Sequence, residues 1–195
     1  MTLRAPRYAG DLRADLVRAS LSLIAAEGPH GFSVAKVAKN LDVSSAAPYR
    51  HFADRGALLA AVAAESAALL RTQISRATHG VTDPAKALAA AAGSATLFLI
   101  EHRVDLALIF TIAPRGLENE RRLLLADSLR RCRGVAPDPE HARRLLARLA
   151  AHVSGTAALY LSGLRTPGHG TAEAAARSAA STTHALIEAI PEEPR

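Results

Sequence analysis

Tryptophan is absent from the 195 residues, and aromatic residues together make up only 4%. A core built without large rings must come from aliphatic side chains, and alanine and leucine dominate here, which favours helix over strand. Cysteine occurs once, as Cys132, so an intrachain disulfide is excluded and a reducing compartment fits. Long apolar runs are also missing, because Arg, Asp or Glu interrupts every one of them. The expectation is therefore a cytoplasmic chain with no signal peptide and no membrane span. No segment alternates polar and apolar with period two for long enough to suggest a strand.

Chemistry-bearing patterns are equally sparse. There is no P-loop, no Gly-x-Ser-x-Gly elbow and no Rossmann glycine pattern. The eight histidines contain no pair at the i, i+4 spacing of a helical zinc site. Neither a cofactor nor a metal is expected, and an enzyme would need a cluster of convergent titratable groups that the pattern lacks.

What remains is an ordinary globular composition, 49% hydrophobic and 22% charged. The net charge of +6 permits a polyanionic partner. It does not locate one, since residues 1–56 hold only half of the excess.

Along the chain, Met1 to Gly10 reads as a short basic arm. Leu16, Ser20, Leu23 and Ile24, with Ala19 beside them, recur at helical spacing until Gly28-Pro29-His30-Gly31 stops the helix. Ser33 is placed to cap a short second helix with Val34, Val37, Ala38 and Leu41 on its apolar face. Leu41-Asp42-Val43 is a tight connection. A third helix is expected over 44–52, with Pro48 in its first turn, because deeper in it would break a backbone hydrogen bond. Tyr49 and Phe52 are expected to close it against the core. Asp54 should cap a longer fourth helix with Leu58, Leu59, Val62, Ser66, Leu69 and Leu70 inward. Asp83-Pro84 and Asp138-Pro139 each set a capping aspartate before a proline, while Ala113-Pro114-Arg115-Gly116 and the stretch from Thr166 to Gly170 are breaks. Body helices are expected at about 84–102, 104–113, 117–133, 139–164 and 171–190.

Two short helices with a tight turn, the second opening on small residues, are the parts of a helix-turn-helix. Ser44, Ser45, Ala46 and Ala47 let a backbone approach the major groove, and alanine methyls can touch thymine methyls. Arg50, His51 and Arg55 can pair with phosphates. Ala26-Glu27-Gly28, Gly31-Phe32-Ser33-Val34, Val37-Ala38-Lys39, Val43-Ser44 and Pro48-Tyr49-Arg50-His51-Phe52, followed by Arg55 and Leu58-Leu59, resemble the DNA-binding domain of the TetR family of bacterial transcriptional regulators. The resemblance covers about 50 residues in the family's order and spacing; the body resembles the family only in length and helical pattern.

The resemblance implies an all-α fold of about nine helices. Residues 1–56 would be a three-helix DNA-binding head and 57–195 a helical effector-sensing and dimerisation body. It implies that Ser33, Lys36, Ser44 to Ala47, Tyr49, Arg50, His51 and Arg55 meet double-stranded DNA at a near-palindromic operator. Tyr49 has two readings, a core aromatic or a phosphate contact. Arg55 stands where the family usually has a lysine, and Ala47-Pro48 where it often has a glycine before its central tyrosine. In the body, Ala147, Ala151 and Gly155 form a small-residue stripe and Leu149, Val153, Ala157, Tyr160 and Leu164 an apolar seam. With Ala175, Ala179, Leu186 and Ile190 on the last helix, these would build a homodimer's four-helix bundle. Phe98, His102, Leu106, Phe110, Arg115 and Tyr160 are the candidate lining of a small-molecule pocket. The function implied is a repressor released by a small apolar or amphipathic effector. An activator and a ligand-independent architectural DNA-binding protein are the alternatives.

Overall fold

The computed structural model describes residues 11–111, 118–164 and 170–189, and these contain eight α-helices and no strand. The all-helical expectation holds.

The first helix, α1 (Leu12–Glu27), starts at Asp11, whose carboxylate accepts the Arg13 N–H at 3.0 Å. It buries Leu16, Val17, Ser20, Leu21, Leu23 and Ile24 and ends at Gly28, whose φ of 77° suits only a residue without a Cβ. Pro29–Gly31 then make a single 3₁₀ turn. Helix α2 (Val34–Asn40) turns Val34, Val37 and Ala38 onto α1. Its end is a Schellman closure: Asp42 N–H donates to Lys39 O and Val43 N–H to Ala38 O. Asp42 takes the left-handed conformation, φ 57°, that glycine usually supplies there.

Helix α3 (Arg55–Ala77) follows, capped by Asp54, which accepts the Ala57 N–H at 2.7 Å. It is buried on most of its circumference, from Leu58 and Val62 to Leu70 and Ile74. Leu69, expected on the inner stripe, is instead exposed, because the buried face continues through Ala67 and Leu70. By length and composition alone α3 is apolar enough to cross a membrane, a test that a buried core helix also passes. In the fold it is the central core helix, packed by α1 and by body helices α4 (Pro84–His102), α5 (Leu106–Thr111) and α6 (Glu118–Arg133).

Helices α7 (Pro139–Leu161) and α8 (Ala172–Glu188) complete the body. The body helices fall within about three residues of their expected ends. Asp83 and Asp138 cap α4 and α7 as the Asp-Pro pairs imply, accepting the Lys86 N–H at 2.9 Å and the Glu140 and His141 N–H groups at 2.8 and 2.9 Å. Those backbone bonds hold both carboxyls below the usual carboxylate range. The breaks at 113–116 and 166–169, and the basic arm, lie outside the described residues.

One buried cluster runs from Leu16 in α1 through α3 and α4 to Ala157 and Ala175, so no gap separates head from body. A second gathers Leu88, Cys132, Ala142, Leu145 and Leu149. Buried hydroxyls are satisfied within their own helices: Ser20, Ser66, Thr96 and Thr183 each donate to the carbonyl four residues back. That is how Ser20 and Ser66 sit on apolar faces.

Helix α8 lies along α4, with Gly93 of α4 set against Ala176 and Ala180 of α8. A Cβ built on Gly93 would come within 2.9 Å of the Ala176 carbonyl oxygen and 3.3 Å of Ala180 Cβ. A backbone oxygen cannot swing aside, so the clash outweighs alanine's helix propensity. Gly93→Ala should destabilise the fold by about 1–3 kcal/mol in urea unfolding. An unchanged midpoint would mean that α4 and α8 separate easily.

Candidate nucleic-acid interface and effector cavity

The segment from 44 to 52, expected as an α-helix, is instead a series of tight turns. Ala47 N–H donates to Ser44 O, Arg50 N–H to Ala47 O and His51 N–H to Pro48 O, with a 3₁₀ turn at Pro48–Arg50. The cause is Pro48. It has no N–H to give to Ser44, and its ring crowds that carbonyl, so the chain closes three-residue turns on either side of it.

Pro48 and Phe52 are both buried and pin the segment to the head. Everything between and before them points outward: Ser44, Ser45 and Ala46 are exposed, as are Arg50 and His51, while Ala47 is half-buried. Tyr49 is 53% exposed, which corrects the expectation that it closes against the core.

The flanking cations are held by the head itself. The Arg55 guanidinium lies 5.3 Å from the Phe32 ring centroid and that of Arg13 lies 4.9 Å from the Phe52 ring. Arg13 was missed by sequence reasoning: it lies far from the motif in the chain, and only the packing of α1 on Phe52 brings it there. Lys36 is exposed and ion-paired to Glu27 Oε2 at 2.5 Å. Ser33 stands at the N-cap of α2, but its hydroxyl makes no capping bond. The structure therefore gathers exposed serines, a tyrosine and several cations around one buried proline.

In the body, a cavity of about 130 Å³ lies among α3 to α7. Leu70, Ile74, Ala95, Leu124 and Val153 are among its walls. Of the expected pocket residues, Leu106 and Phe110 line it. Phe98 does not: it is 1% exposed inside the core, its ring 4.3 Å from that of His102. Burial lowers the His102 pKa, against a smaller opposing effect of Glu101. Tyr160 lines a separate groove between α7 and α8, and Arg115 lies outside the described residues. Arg131, which the sequence did not single out, reaches the cavity from α6.

The expected dimer surface divides in two. Ala147, Ala151 and Gly155 form an exposed line along α7, and Leu164 beyond its end is 62% exposed. Leu149, Val153, Ala157, Ala175 and Ala179 are buried inside the chain and offer nothing to a partner. Sequence spacing marks two apolar stripes on α7 but not which of them α4 and α8 cover. Leu186 is half-buried against the second cluster, and Ile190 lies outside the described residues.

Two measurements test these placements. Phe52→Ala should cost about 3–5 kcal/mol in urea unfolding, whereas Tyr49→Ala should stay within about 0.5 kcal/mol; equal losses would mean that Tyr49 is also core. Burial pushes the Cys132 thiol up to about 11, so it is neutral at pH 8. A disulfide reagent should label it only after denaturation, and rapid labelling of the native chain would contradict the buried position.

Residues 16–62 match the model of the bacterial regulatory proteins of the tetR family. No curated protein sequence matches. Among solved structures, a protein of unknown function from Rhodococcus sp. RHA1 is 26% identical, with TM-score 0.72, over 94% of this chain and 98% of its own. A TetR variant from Acinetobacter baumannii AYE in complex with minocycline is 20% identical, with TM-score 0.68, over 91% and 97%. A transcriptional regulator from Rhodococcus sp. Rha1 is 24% identical, with TM-score 0.66, over 93% and 100%.

Proposed function

We propose, from the premise that the chain belongs through residues 16–62 to the TetR family of bacterial regulatory proteins, that it is a homodimeric repressor released from a near-palindromic operator by a small effector. In this reading residues 1–56 bind DNA, and residues 57–195 dimerise and sense the effector. The observation that carries it is α3. At one end this helix seats the head through Leu58 and Val62; at the other, Leu70 and Ile74 wall the cavity. Its 23 residues span about 35 Å at 1.5 Å per residue. A cavity occupant that shifts α3 shifts the head with it, and a ligand favouring a head spacing unfit for DNA lowers operator affinity.

At the DNA, the exposed backbone and methyls of Ser44 to Ala47 approach base edges, Tyr49 and Arg50 contact backbone or bases, and His51 and Arg55 take phosphates. Ser33 adds a hydroxyl at the start of α2, and Lys36 exchanges Glu27 for DNA. The dimer forms along the exposed α7 line, where a Cβ on Gly155 would meet nothing within 4 Å and a second helix can come close. The exposed Leu159, Leu161 and Leu164 extend that surface. The minocycline-bound relative supports the effector part, as a protein of the same fold carrying a small molecule.

Ser45→Ala and Arg50→Ala should each weaken operator binding, by about 1–3 kcal/mol for a base contact. A phosphate contact would instead flatten the salt dependence by about one unit of slope. Binding that follows only salt and DNA length, with no preferred sequence, would favour an architectural protein and overturn the regulator reading. Gly155→Arg should turn a dimer into a monomer in sedimentation at micromolar concentration while helical circular dichroism is retained. A wild-type chain that sediments as a monomer rejects the dimer.

A further inference from the structure

We infer that the body cavity takes a small apolar monoanion, a carboxylate carried on one ring or a short branched chain, with Arg131 as its counter-charge. The inference rests on the effector reading above and names the chemical class of the effector.

The size comes from the cavity. At about 130 Å³ it is close to the ~150 Å³ cavity lined by aliphatic and aromatic side chains that accommodates benzene. Leucine, isoleucine, valine, alanine and phenylalanine side chains make nearly all of its wall, so the body of the ligand is apolar. Phe110 on α5 and Leu125 on α6 line it and are also 41% and 48% exposed, which marks the mouth between these helices.

The charge comes from Arg131, the only charged side chain in the lining among the described residues. Its Nε is buried and has no hydrogen-bond partner among the described residues. Asp127, one turn earlier on α6, is already engaged with Arg130. A planar guanidinium matches a carboxylate through two parallel bonds. Ser128, one turn earlier on α6, also faces the cavity and adds a hydroxyl beside that position. An anion at this wall meets the charge of the Arg131 guanidinium, which a neutral molecule of the same shape does not.

Benzoate and its neutral isostere benzamide, titrated calorimetrically into the full-length chain, test the assignment. Benzoate should bind at least about tenfold more tightly than benzamide, which is the scale of one charge-assisted hydrogen bond. Arg131→Gln should remove that preference while circular dichroism keeps its helical form. Arg130→Leu, which removes a guanidinium already paired with Asp127, should leave it intact and controls for net charge. Equal affinity for the two probes, no binding of either, or an Arg131→Gln variant that still prefers benzoate would each overturn the anion assignment. Operator binding separates this from the effector reading. Benzamide releasing DNA as well as benzoate does sinks the anion and keeps the effector. Benzoate held through Arg131 with no effect on DNA keeps the anion site and sinks the effector.

Discussion

Everything in this fold depends on α3 being buried along most of its length. Leu58 and Val62 complete the small core under the segment 44–52, and Leu70 and Ile74 complete the core of the body. A head made only of α1, α2 and a proline-centred turn has little apolar surface of its own to bury. Sharing a helix with the body removes that weakness. It also makes the two ends mechanically dependent, because a close-packed core transmits a displacement rather than absorbing it. The alanine-rich composition suits this role: Ala60, Ala61, Ala63, Ala64 and Ala67 let neighbours approach α3 from several sides.

The same economy appears where α8 meets α4. Small residues bring the two backbones together, and Gly93 is the tightest point. With no tryptophan and few other rings, the chain gains its packing from proximity instead of bulk. Among the larger side chains Phe98 fills the core, Phe52 and Pro48 anchor the turns at 44–52, Phe32 and Phe52 carry stacked arginines, and Phe110 lines the cavity. The cavity therefore lies between an alanine-lined α4 and the leucines of α6 and α7, where small and large faces leave a gap.

Electrostatics plays two different parts. On the head, cations stay in solvent, stacked on rings or loosely paired, and such contacts exchange readily for phosphate. In the body, several charges pair along helix surfaces, as in Arg130 with Asp127 and Arg143 with Glu140. Arg131 departs from that habit, with its Nε enclosed beside an apolar space.

Local rules determined much of this protein. Gly28, Asp54, Asp83 and Asp138 mark helix ends through conformations and hydrogen bonds that involve only near neighbours. The ordered run from Ala26 to Leu59 carries its resemblance to the tetR-family model in the chain itself. Pro48 shows where local reading reaches its limit: it correctly forbade a helix interior at that point, but its missing N–H left tight turns over the segment rather than a short helix. What the chain could not reveal was which of two apolar faces a helix turns inward. Leu149, Val153 and Ala157 read as well for a partner surface as for a core, and only the position of α4 and α8 decided between them. Arg13 and Arg131 were hidden for the same reason. A spacing of 3.6 residues says which side chains share a face, but what that face meets is set by contacts between residues far apart in the chain, which the tertiary structure alone decides.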